Sequence, residues 1–424
     1  MRAVDPERHW GWLLSAILLG GLLLRLPLLS RDLRATNDLE TYRGWSRAIA
    51  KSGVLAAYEQ PGLNYPPALA YWYYLAGALE ARLAQMAGVP RDDVLNAALK
   101  LLPVLADTAT GLVLAWAFRR RAPGLGLLAA VGYVFHPAIW YVSAYWGQSD
   151  SVYTLFIVLG ILAFARGALL PAWCALALAT LVKQQALAVV PVVAAATLGL
   201  HGRRGLAVGG AALAGVAAAI SAPWLFSGRL PELVRGVTTL AGSPPRIVVS
   251  AYNFWYLQRW GDVHTAPAAQ PLAGLPVSYQ AVAIIVVGAA TCWLAWHAWR
   301  ARQAAIAPHA CAACAMVYVF MFHARERYLF PVLALLLLAA AQQGLPLRRA
   351  WQLYAALSVT FAFNLVTIAS PFPAGWTNLV ASTAGTPTVQ ILWGLALLAA
   401  AWHTTATIWL LALSAIPTRV PDTA

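Results

Sequence analysis

Long apolar segments recur along this chain, and they limit it to one class of fold. A helix needs about 20 predominantly apolar residues to cross a hydrocarbon core that is ~30 Å thick. Charged residues make up only 10% of the chain, against roughly 25% in soluble domains. The excess apolar surface must therefore face lipid. About twelve spans are expected: Trp12–Leu29, Leu99–Phe118, Gly124–Val142, Ser151–Ala165, Pro171–Val182, Leu187–Leu200, Leu206–Leu225, Val277–Trp299, Ala304–Phe322, Tyr328–Ala341, Trp351–Ile368 and Gln390–Leu413.

The fold class predicted from these spans is an all-α polytopic membrane protein, with residues 1–424 in one membrane domain. The first span is longer than the roughly 7–15-residue apolar region of a secretory signal, so we expect it to be retained. Asp107 lies inside the second span, where a lipid-facing charge is costly, so it should face the interior and a partner. Cys311 and Cys314 have CxxC spacing but sit within an apolar span, and we interpret them as small buried side chains.

Arginine clusters set the predicted orientation. With the twelve spans above, all of the clusters fall on one side of the membrane, and the positive-inside rule makes that side cytoplasmic. Both termini are then cytoplasmic, and the formal net charge of +14 is a topology signal rather than a sign of nucleic-acid binding. The clusters are Arg2 and Arg8, Arg119–Arg121, Arg203 and Arg204, Arg300 and Arg302, and Arg348 and Arg349.

Two segments of the first extracytoplasmic loop, residues 30–98, are predicted to be helices that lie at the interface. Tyr71–Gly88 is apolar enough to resemble a span, but Glu80 and Arg82 interrupt it, and counting it would invert every later basic cluster. Leu39–Ser52 carries aromatic and aliphatic residues on one helical face and basic residues elsewhere. The motif-bearing bundle would then occupy residues 99–345, and C-terminal helices residues 346–424.

Polar residues gather in the loops opposite the arginine clusters. Five loops that are scattered in sequence meet on that face, and a substrate site there is the economical explanation. The candidates are Asp38, Glu40 and Tyr65 in the first loop, Gln148 and Asp150 after the third span, Lys183 and Gln184, Asn253 in a long loop over residues 227–275, and His323, Arg325, Glu326 and Arg327.

Each of these signals also has a structural interpretation. Asp38 and Asp150 precede predicted helices, where aspartate is a favoured capping residue. Lys183 could be a snorkelling anchor at a helix end. The run Arg325–Arg327 could be an interfacial ion-pair cluster, and His323 beside it could be structural or a hydrogen-bond donor.

The charges suit chemistry on a phosphate. Lys183, Arg325 and Arg327 are cations that fit a phosphate group at the membrane surface, and Asp38 could take a proton from an attacking hydroxyl. A lipid-phosphate sugar fits both parts, because its tail would lie among the spans and its phosphate would leave without needing a proton. No cofactor is expected, although the charges do not exclude a divalent metal ion. A transporter of an anionic solute could show the same charges.

Seven segments, in order between about residue 36 and residue 331, resemble motifs of one family. They are Asp38–Trp45 (D-x-E-x-x-x-x-W), Asn64–Leu69 (Y-P-P-L), Lys100–Asp107, Trp146–Asp150 (W-G-Q-x-D), Val182–Gln185 (V-K-x-Q), Asn253–Trp255 (N-x-W) and Arg325–Pro331 (H-E-R-Y-L-x-P). On these motifs the chain resembles the GT-C superfamily of glycosyltransferases. Within it, the chain is similar to bacterial relatives of the mannosyltransferases that build GPI anchors.

The resemblance implies a GT-C-type bundle and an inverting transfer of a sugar, with mannose favoured, from a polyprenyl-phosphate donor. It implies that Asp38 is the catalytic base and that the acceptor is a hydroxyl of a lipid or glycan. One motif departs from the family, since Arg325 replaces the usual His before Glu326 and a histidine, His323, stands two residues earlier.

Two other functional classes compete with the enzyme. A secondary transporter would explain the many spans and the intramembrane charges, but transporters usually show internal repeats with matching broken helices. The two halves of this chain differ in loop length and motif. A non-catalytic membrane scaffold would leave the gathering of polar motifs on one face unexplained.

Overall fold

The fold is helical throughout the described residues. The computed structural model describes residues 9–32, 37–59, 62–238, 245–260, 267–272, 274–301, 306–369 and 387–415, so the predicted cytoplasmic residues Arg2, Arg8 and Arg302 lie outside it. The helices are α1 Trp10–Leu29, α2 Asp38–Ser52, α3 Ala68–Ala87, α4 Arg91–Phe118, α5 Pro123–Val134, α6 Pro137–Trp140, α7 Asp150–Ala165, α8 Leu169–Val182, α9 Val190–Phe226, α10 Leu230–Thr238, α11 Phe254–Gln258, α12 Tyr279–Arg300, α13 Ile306–Phe320, α14 Phe330–Ala341, α15 Leu347–Ala369 and α16 Pro387–Ser414.

The predicted class, an all-α membrane protein, is confirmed. Five helical segments within the described residues are long and apolar enough to cross a membrane: α1, α4, Gln184–Phe226, α12 and Gln390–Ser414. The helices Pro123–Val134 and Pro137–Trp146 pass the same test together as a pair bent by 45°. Each of the twelve predicted spans falls on a helix, but several of these helices are short, so the count of twelve and the orientation remain predictions.

A glycine divides the longest helical segment. In α9, Gly202 has φ 63° and ψ −162°, a backbone conformation that residues with a Cβ rarely adopt. The break falls between the predicted spans Leu187–Leu200 and Leu206–Leu225, directly before Arg203 and Arg204. The helix is therefore two segments joined at a bend, as the basic turn in the sequence predicted.

Residue contacts divide the chain into two compact units. The first unit comprises residues 1–160, 173–186 and 210–243, and the second comprises residues 161–172, 187–209 and 244–424. In the first unit, α2 packs against α3, and α4 packs against α1, α3 and α5. In the second unit, α13 packs against α12, α14 and α16, and α15 packs against α14 and α16. The grouping into one domain remains a prediction.

One glycine and one buried acid determine how α3 packs against α2. Helix α3 covers most of the predicted interfacial segment Tyr71–Gly88. A Cβ at Gly77 of α3 would lie 2.2 Å from the Ser46 carbonyl oxygen of α2, so only glycine allows this close approach. Glu80 of α3 is completely buried and pairs with Arg47 of α2 over 2.6 Å and with Arg91 over 3.2 Å. The acid that interrupts the apolar run is thus neutralised inside the protein. The position of α3 at the interface remains a prediction.

The expected partner of Asp107 is present. Asp107 of α4 and Arg25 of α1 are both completely buried, with 3.7 Å between Oδ2 and Nη2. The arginine also donates to the carbonyl oxygens of Gly21 and Val134 over 2.8 and 2.7 Å. A charge that would be costly in lipid therefore faces an opposite charge within the protein. Cys311 and Cys314 are likewise buried in α13 as free thiols, as predicted.

Candidate active site

Asp38 is held by two side chains that are more than 100 residues away in sequence. Its Oδ2 accepts hydrogen bonds from Gln148 Nε2 at 2.6 Å and from Trp146 Nε1 at 3.2 Å. The helix-capping interpretation of Asp38 is wrong, because Asn37 occupies the N-cap of α2 and Asp38 is the first helical residue. Asp38 is half-buried, and these two hydrogen bonds fix the orientation of its carboxylate.

A π-helical turn presents the two donors to Asp38. Residues Tyr141–Trp146 form this turn, and Gly147 ends it with φ 84°. A Cβ at Gly147 would lie 3.2 Å from Lys100 Cγ and 3.4 Å from Leu39 Cδ1. The positive φ therefore favours glycine here, and a Cβ would also crowd the side chain of Lys100 on α4. The W-G-Q segment in the sequence thus encodes a turn that aims tryptophan and glutamine at one carboxylate.

Lys100 of α4 stabilises this turn by donating hydrogen bonds to backbone carbonyl oxygens. Its side chain is completely buried, and Nζ donates to the carbonyl oxygens of Leu28, Arg31 and Tyr145 at 2.9, 2.7 and 3.1 Å. An ammonium group has three donors, so these three acceptors satisfy it. Two of them lie near the ends of α1 and the π-helical turn, where unpaired carbonyls carry partial negative charge. One cation therefore fixes both segments beside Asp38.

We expect Lys100→Met to destabilise the protein by roughly 3 kcal/mol or more, because three buried carbonyls lose a charged donor and each such bond contributes about 1.5–3 kcal/mol. Thermal unfolding in lipid nanodiscs measures the loss, with Lys51→Met as the control because Lys51 is an exposed lysine on α2. A Lys100→Met protein that unfolds at the wild-type temperature would contradict this role.

Two tyrosine hydroxyls extend the hydrogen bonding away from Asp38. The Tyr42 hydroxyl lies 2.9 Å from Gln148 Oε1 and 2.9 Å from the Tyr65 hydroxyl. The Tyr42 ring stacks on Tyr73 at 5.8 Å, and Trp45 meets Tyr65 edge-on at 5.7 Å. These side chains bring the first and second motifs of the sequence together. The Asp38 cluster is defined as Asp38, Tyr42, Tyr65, Trp146 and Gln148.

Lys183 and Asp150 form a buried ion pair in the same unit. Lys183 Nζ lies 2.7 Å from Asp150 Oδ2, and the two side chains are 1% and 0% exposed. The ammonium also lies 5.6 Å from the ring centre of Tyr65 and 5.8 Å from that of Tyr153. The snorkelling interpretation of Lys183 is wrong, since the group is buried against a carboxylate. Asp150 begins α7, but it also holds this cation, which the capping interpretation did not foresee.

Two candidates in the first unit stand apart from these contacts. Glu40 is exposed on α2. Gln184 is half-buried, and its Oε1 has no hydrogen-bond partner among the described atoms. Neither side chain joins the Asp38 cluster in the described structure.

In the second unit, Glu326 and Arg327 pair with each other. Arg327 Nη1 lies 3.1 Å from Glu326 Oε1, and both side chains are nearly buried. Ser250 Oγ donates to Glu326 Oε2, which joins the long loop to the motif. The interfacial ion-pair interpretation is thus confirmed as to the pair itself, for Glu326 and Arg327, and this pair is buried in the protein. Ser250, Glu326 and Arg327 are called the Glu326 cluster.

His323 is a structural residue of this motif. Its backbone nitrogen donates to the Arg246 carbonyl oxygen at 2.9 Å, and its Nδ1 accepts from the Arg246 backbone nitrogen at 3.1 Å. Burial, and then the nearby charges of Arg325 and Arg246, lower the pKa of His323 below its usual value. A neutral imidazole that accepts at Nδ1 is the consistent state.

Arg325 and Arg246 therefore flank a neutral histidine. No carboxylate among the described residues lies within ion-pair distance of Arg325.

Asn253 also has a structural role. Its Oδ1 accepts from the Tyr256 backbone nitrogen at 3.1 Å and caps the short helix α11, while its Nδ2 donates to the Tyr318 carbonyl oxygen at 3.2 Å. Trp255 Nε1 donates to the Phe320 carbonyl oxygen at 2.8 Å. The N-x-W segment thus attaches the loop to the end of α13.

The C-terminal helices hold the same loop from another side. Asn364 of α15 donates to the Ser250 carbonyl oxygen at 3.0 Å and accepts from the Tyr252 backbone nitrogen and the Tyr318 hydroxyl at 3.1 and 2.9 Å. His403 Nδ1 of α16 lies 2.7 Å from the Tyr252 carbonyl oxygen. Sequence reasoning missed these residues, yet a buried asparagine and histidine within apolar spans are costly and were the available signal.

Lys100 was missed for a related reason. It appeared only within a motif, and the second span was taken to begin beside it, at Leu99. A lysine near the start of a span is an ordinary anchor, so the sequence offered little to distinguish this buried one.

The described part of the chain contains no group of three His, Cys, Asp or Glu side chains that could hold a metal ion. The absence of a metal cofactor stays a prediction.

Comparison with known proteins shows a distant likeness to solved structures. No protein-family model matches the chain, and no curated protein matches it. Among solved structures, the chain is similar to ArnT from Cupriavidus metallidurans, in a crystal structure bound to undecaprenyl phosphate. The sequences are 18% identical, the TM-score is 0.48, and the match covers 96% of this chain and 77% of the other. A likeness of this size identifies neither a family nor a function.

Proposed function

We propose that this protein is a GT-C-type inverting glycosyltransferase that uses a polyprenyl-phosphate sugar as its donor. The transferred sugar is mannose, and the acceptor is a hydroxyl of a lipid or glycan on the extracytoplasmic face. The observation that carries the proposal is the half-buried Asp38 carboxylate, held by Trp146 and Gln148 in a fixed orientation. A general base must hold its carboxylate in a defined position, and these two hydrogen bonds to Oδ2 hold it.

In the proposed reaction, Asp38 takes the proton of the acceptor hydroxyl. At the same time, the oxygen of that acceptor hydroxyl attacks the anomeric carbon of the donor sugar. The bond from that carbon to the phosphate oxygen breaks on the opposite face, and its electron pair leaves with the polyprenyl phosphate. The phosphate departs as an anion and needs no proton. One base together with positive charge at the leaving group therefore supplies what the step requires.

Cations that could meet this phosphate occur in both units. Arg325 and Arg246 lie beside a neutral histidine, and Arg325 has no carboxylate partner among the described residues. Arg327 and Lys183 are each paired with a carboxylate, Glu326 and Asp150 respectively. Arginine suits phosphate because its planar fork can donate two hydrogen bonds at once. Lys183, Arg325 and Arg327 therefore stay the three proposed phosphate ligands.

The order of the seven sequence motifs also supports this proposal. Three of them contribute to the Asp38 cluster, through Tyr42, Tyr65 and Gln148. A transporter would have no need for a carboxylate oriented by two donors at the start of an interfacial helix. The transporter nevertheless remains the alternative outcome of the test.

The test is a transfer assay with purified protein in lipid. Polyprenyl-phosphate mannose is incubated with a panel of glycolipid, lipid-linked and free glycan acceptors, and products are read by mass spectrometry. Polyprenyl-phosphate glucose and GDP-mannose serve as comparison donors. We expect product from polyprenyl-phosphate mannose and none from the nucleotide sugar. Failure of every polyprenyl-phosphate sugar across the panel, together with uptake of an anionic solute into proteoliposomes, would instead establish the transporter.

A further inference from the structure

The donor and the acceptor of each hydrogen bond that links Asp38, Gln148, Tyr42 and Tyr65 follow from the chemistry of the four side chains. The Asp38 carboxylate can only accept, so Gln148 must present Nε2 to it, at 2.6 Å. The other end of the amide, Oε1, has no proton, so the Tyr42 hydroxyl must donate to it over 2.9 Å. That donation uses the only proton of Tyr42, and therefore Tyr65 must donate to the Tyr42 oxygen over their 2.9 Å contact.

The position of Tyr42 makes it a rigid member of this series of hydrogen bonds. Its side chain is 4% exposed and stacks on Tyr73. It lies on α2 one helical turn beyond Asp38, so the same helix carries the base and the hydroxyl that fixes the amide holding the base. Gln148 itself is completely buried, so its amide oxygen has no water to replace a lost tyrosine.

We propose that Tyr42 is a positioning residue for Asp38 and that it acts through Gln148. By donating to Oε1 it fixes the amide plane and polarises the amide, which strengthens the N–H donated to Asp38. Tyr65 continues the chain on the other side of Tyr42, toward the Lys183 ammonium 5.6 Å from its ring centre. The inference rests on Asp38 being the base of the proposed transfer.

The kinetic test compares Tyr42→Phe, Gln148→Leu and the double variant. Tyr42→Phe should lower kcat about tenfold, the effect of one lost hydrogen bond, with KM for the donor unchanged. Gln148→Leu should lower kcat by more, since it removes the donor to a charged group. The double variant should be no slower than Gln148→Leu alone. The matched control is Tyr71→Phe, which loses a hydroxyl bonded to the Ile220 carbonyl oxygen in the same unit, outside the cluster.

Effects that multiply in the double variant, or a rise in KM with kcat unchanged, would overturn the role of Tyr42. A second measurement needs no activity, namely the melting temperatures of the same variants in nanodiscs. If the melting temperature of the double variant falls by less than the sum of the two single falls, the hydrogen-bond chain is supported. If it falls by that sum, the hydrogen-bond chain is refuted. An inactive wild type would refute the proposed transfer, while the melting temperatures would still decide whether Tyr42 and Gln148 act together.

Discussion

Asp38→Asn should abolish most sugar transfer while leaving the protein folded. The asparagine keeps the size of the side chain, and its oxygen can still accept from Trp146 and Gln148, so the cluster retains its hydrogen bonds. It cannot take a proton from the acceptor. General-base catalysis contributes about 10²–10⁴-fold, and we expect kcat to fall by that factor with little change in KM for the donor. Initial rates at saturating polyprenyl-phosphate mannose measure the effect.

The matched control is Glu40→Gln, which removes a carboxylate two residues further along the same helix. Glu40 is exposed and stands outside the Asp38 cluster, so its variant should retain wild-type kcat. Equal transfer rates for Asp38→Asn and wild type would remove Asp38 as the base. Equal losses in Asp38→Asn and Glu40→Gln would mean that negative charge on α2, rather than one positioned proton acceptor, is what the reaction needs.

The sequence predicted the helices better than it predicted the contacts between side chains. Apolar length alone predicted a helix at every span, because crossing lipid leaves few alternatives. The polar motifs pointed to Asp38, Gln148 and Tyr65. Gln148 contacts Asp38 directly, and Tyr65 is linked to Gln148 through the Tyr42 hydroxyl. What sequence could not supply was the pairing within the cluster, since the π-helical turn that aims Gln148 depends on packing against a buried lysine from another helix.

The second unit shows the same limit. Glu326 and Arg327 were expected to face substrate, but they pair with each other in the interior, and Ser250 completes the contact. Neighbouring opposite charges in a sequence do not reveal whether they turn toward solvent or inward. The C-terminal helices carried no motif, yet Asn364 and His403 hold the loop that contains Ser250. Both residues act through hydrogen bonds from single side chains to the loop, and the apolar pattern of the helices does not reveal such contacts.

Lys183→Met should have the largest effect on stability, because it leaves Asp150 buried without its cation. Removing one partner of a buried ion pair costs about 3–5 kcal/mol, whereas replacing both partners by apolar groups is often neutral. Unfolding in nanodiscs should therefore show a strong loss for Lys183→Met and recovery in the double variant Lys183→Met with Asp150→Leu. Arg25→Met with Asp107→Leu, a second buried pair of the same unit, is the matched control.

The recovered double variant separates packing from phosphate binding. If Lys183 meets the donor phosphate, the stable double variant should still show a raised KM for polyprenyl-phosphate mannose, since one cation at the leaving group is gone. The control pair should leave that KM unchanged, because it lies outside the proposed site. A double variant with both wild-type stability and wild-type KM would make Lys183 a structural counter-ion for Asp150, and Arg325 and Arg327 would then remain as the proposed phosphate ligands.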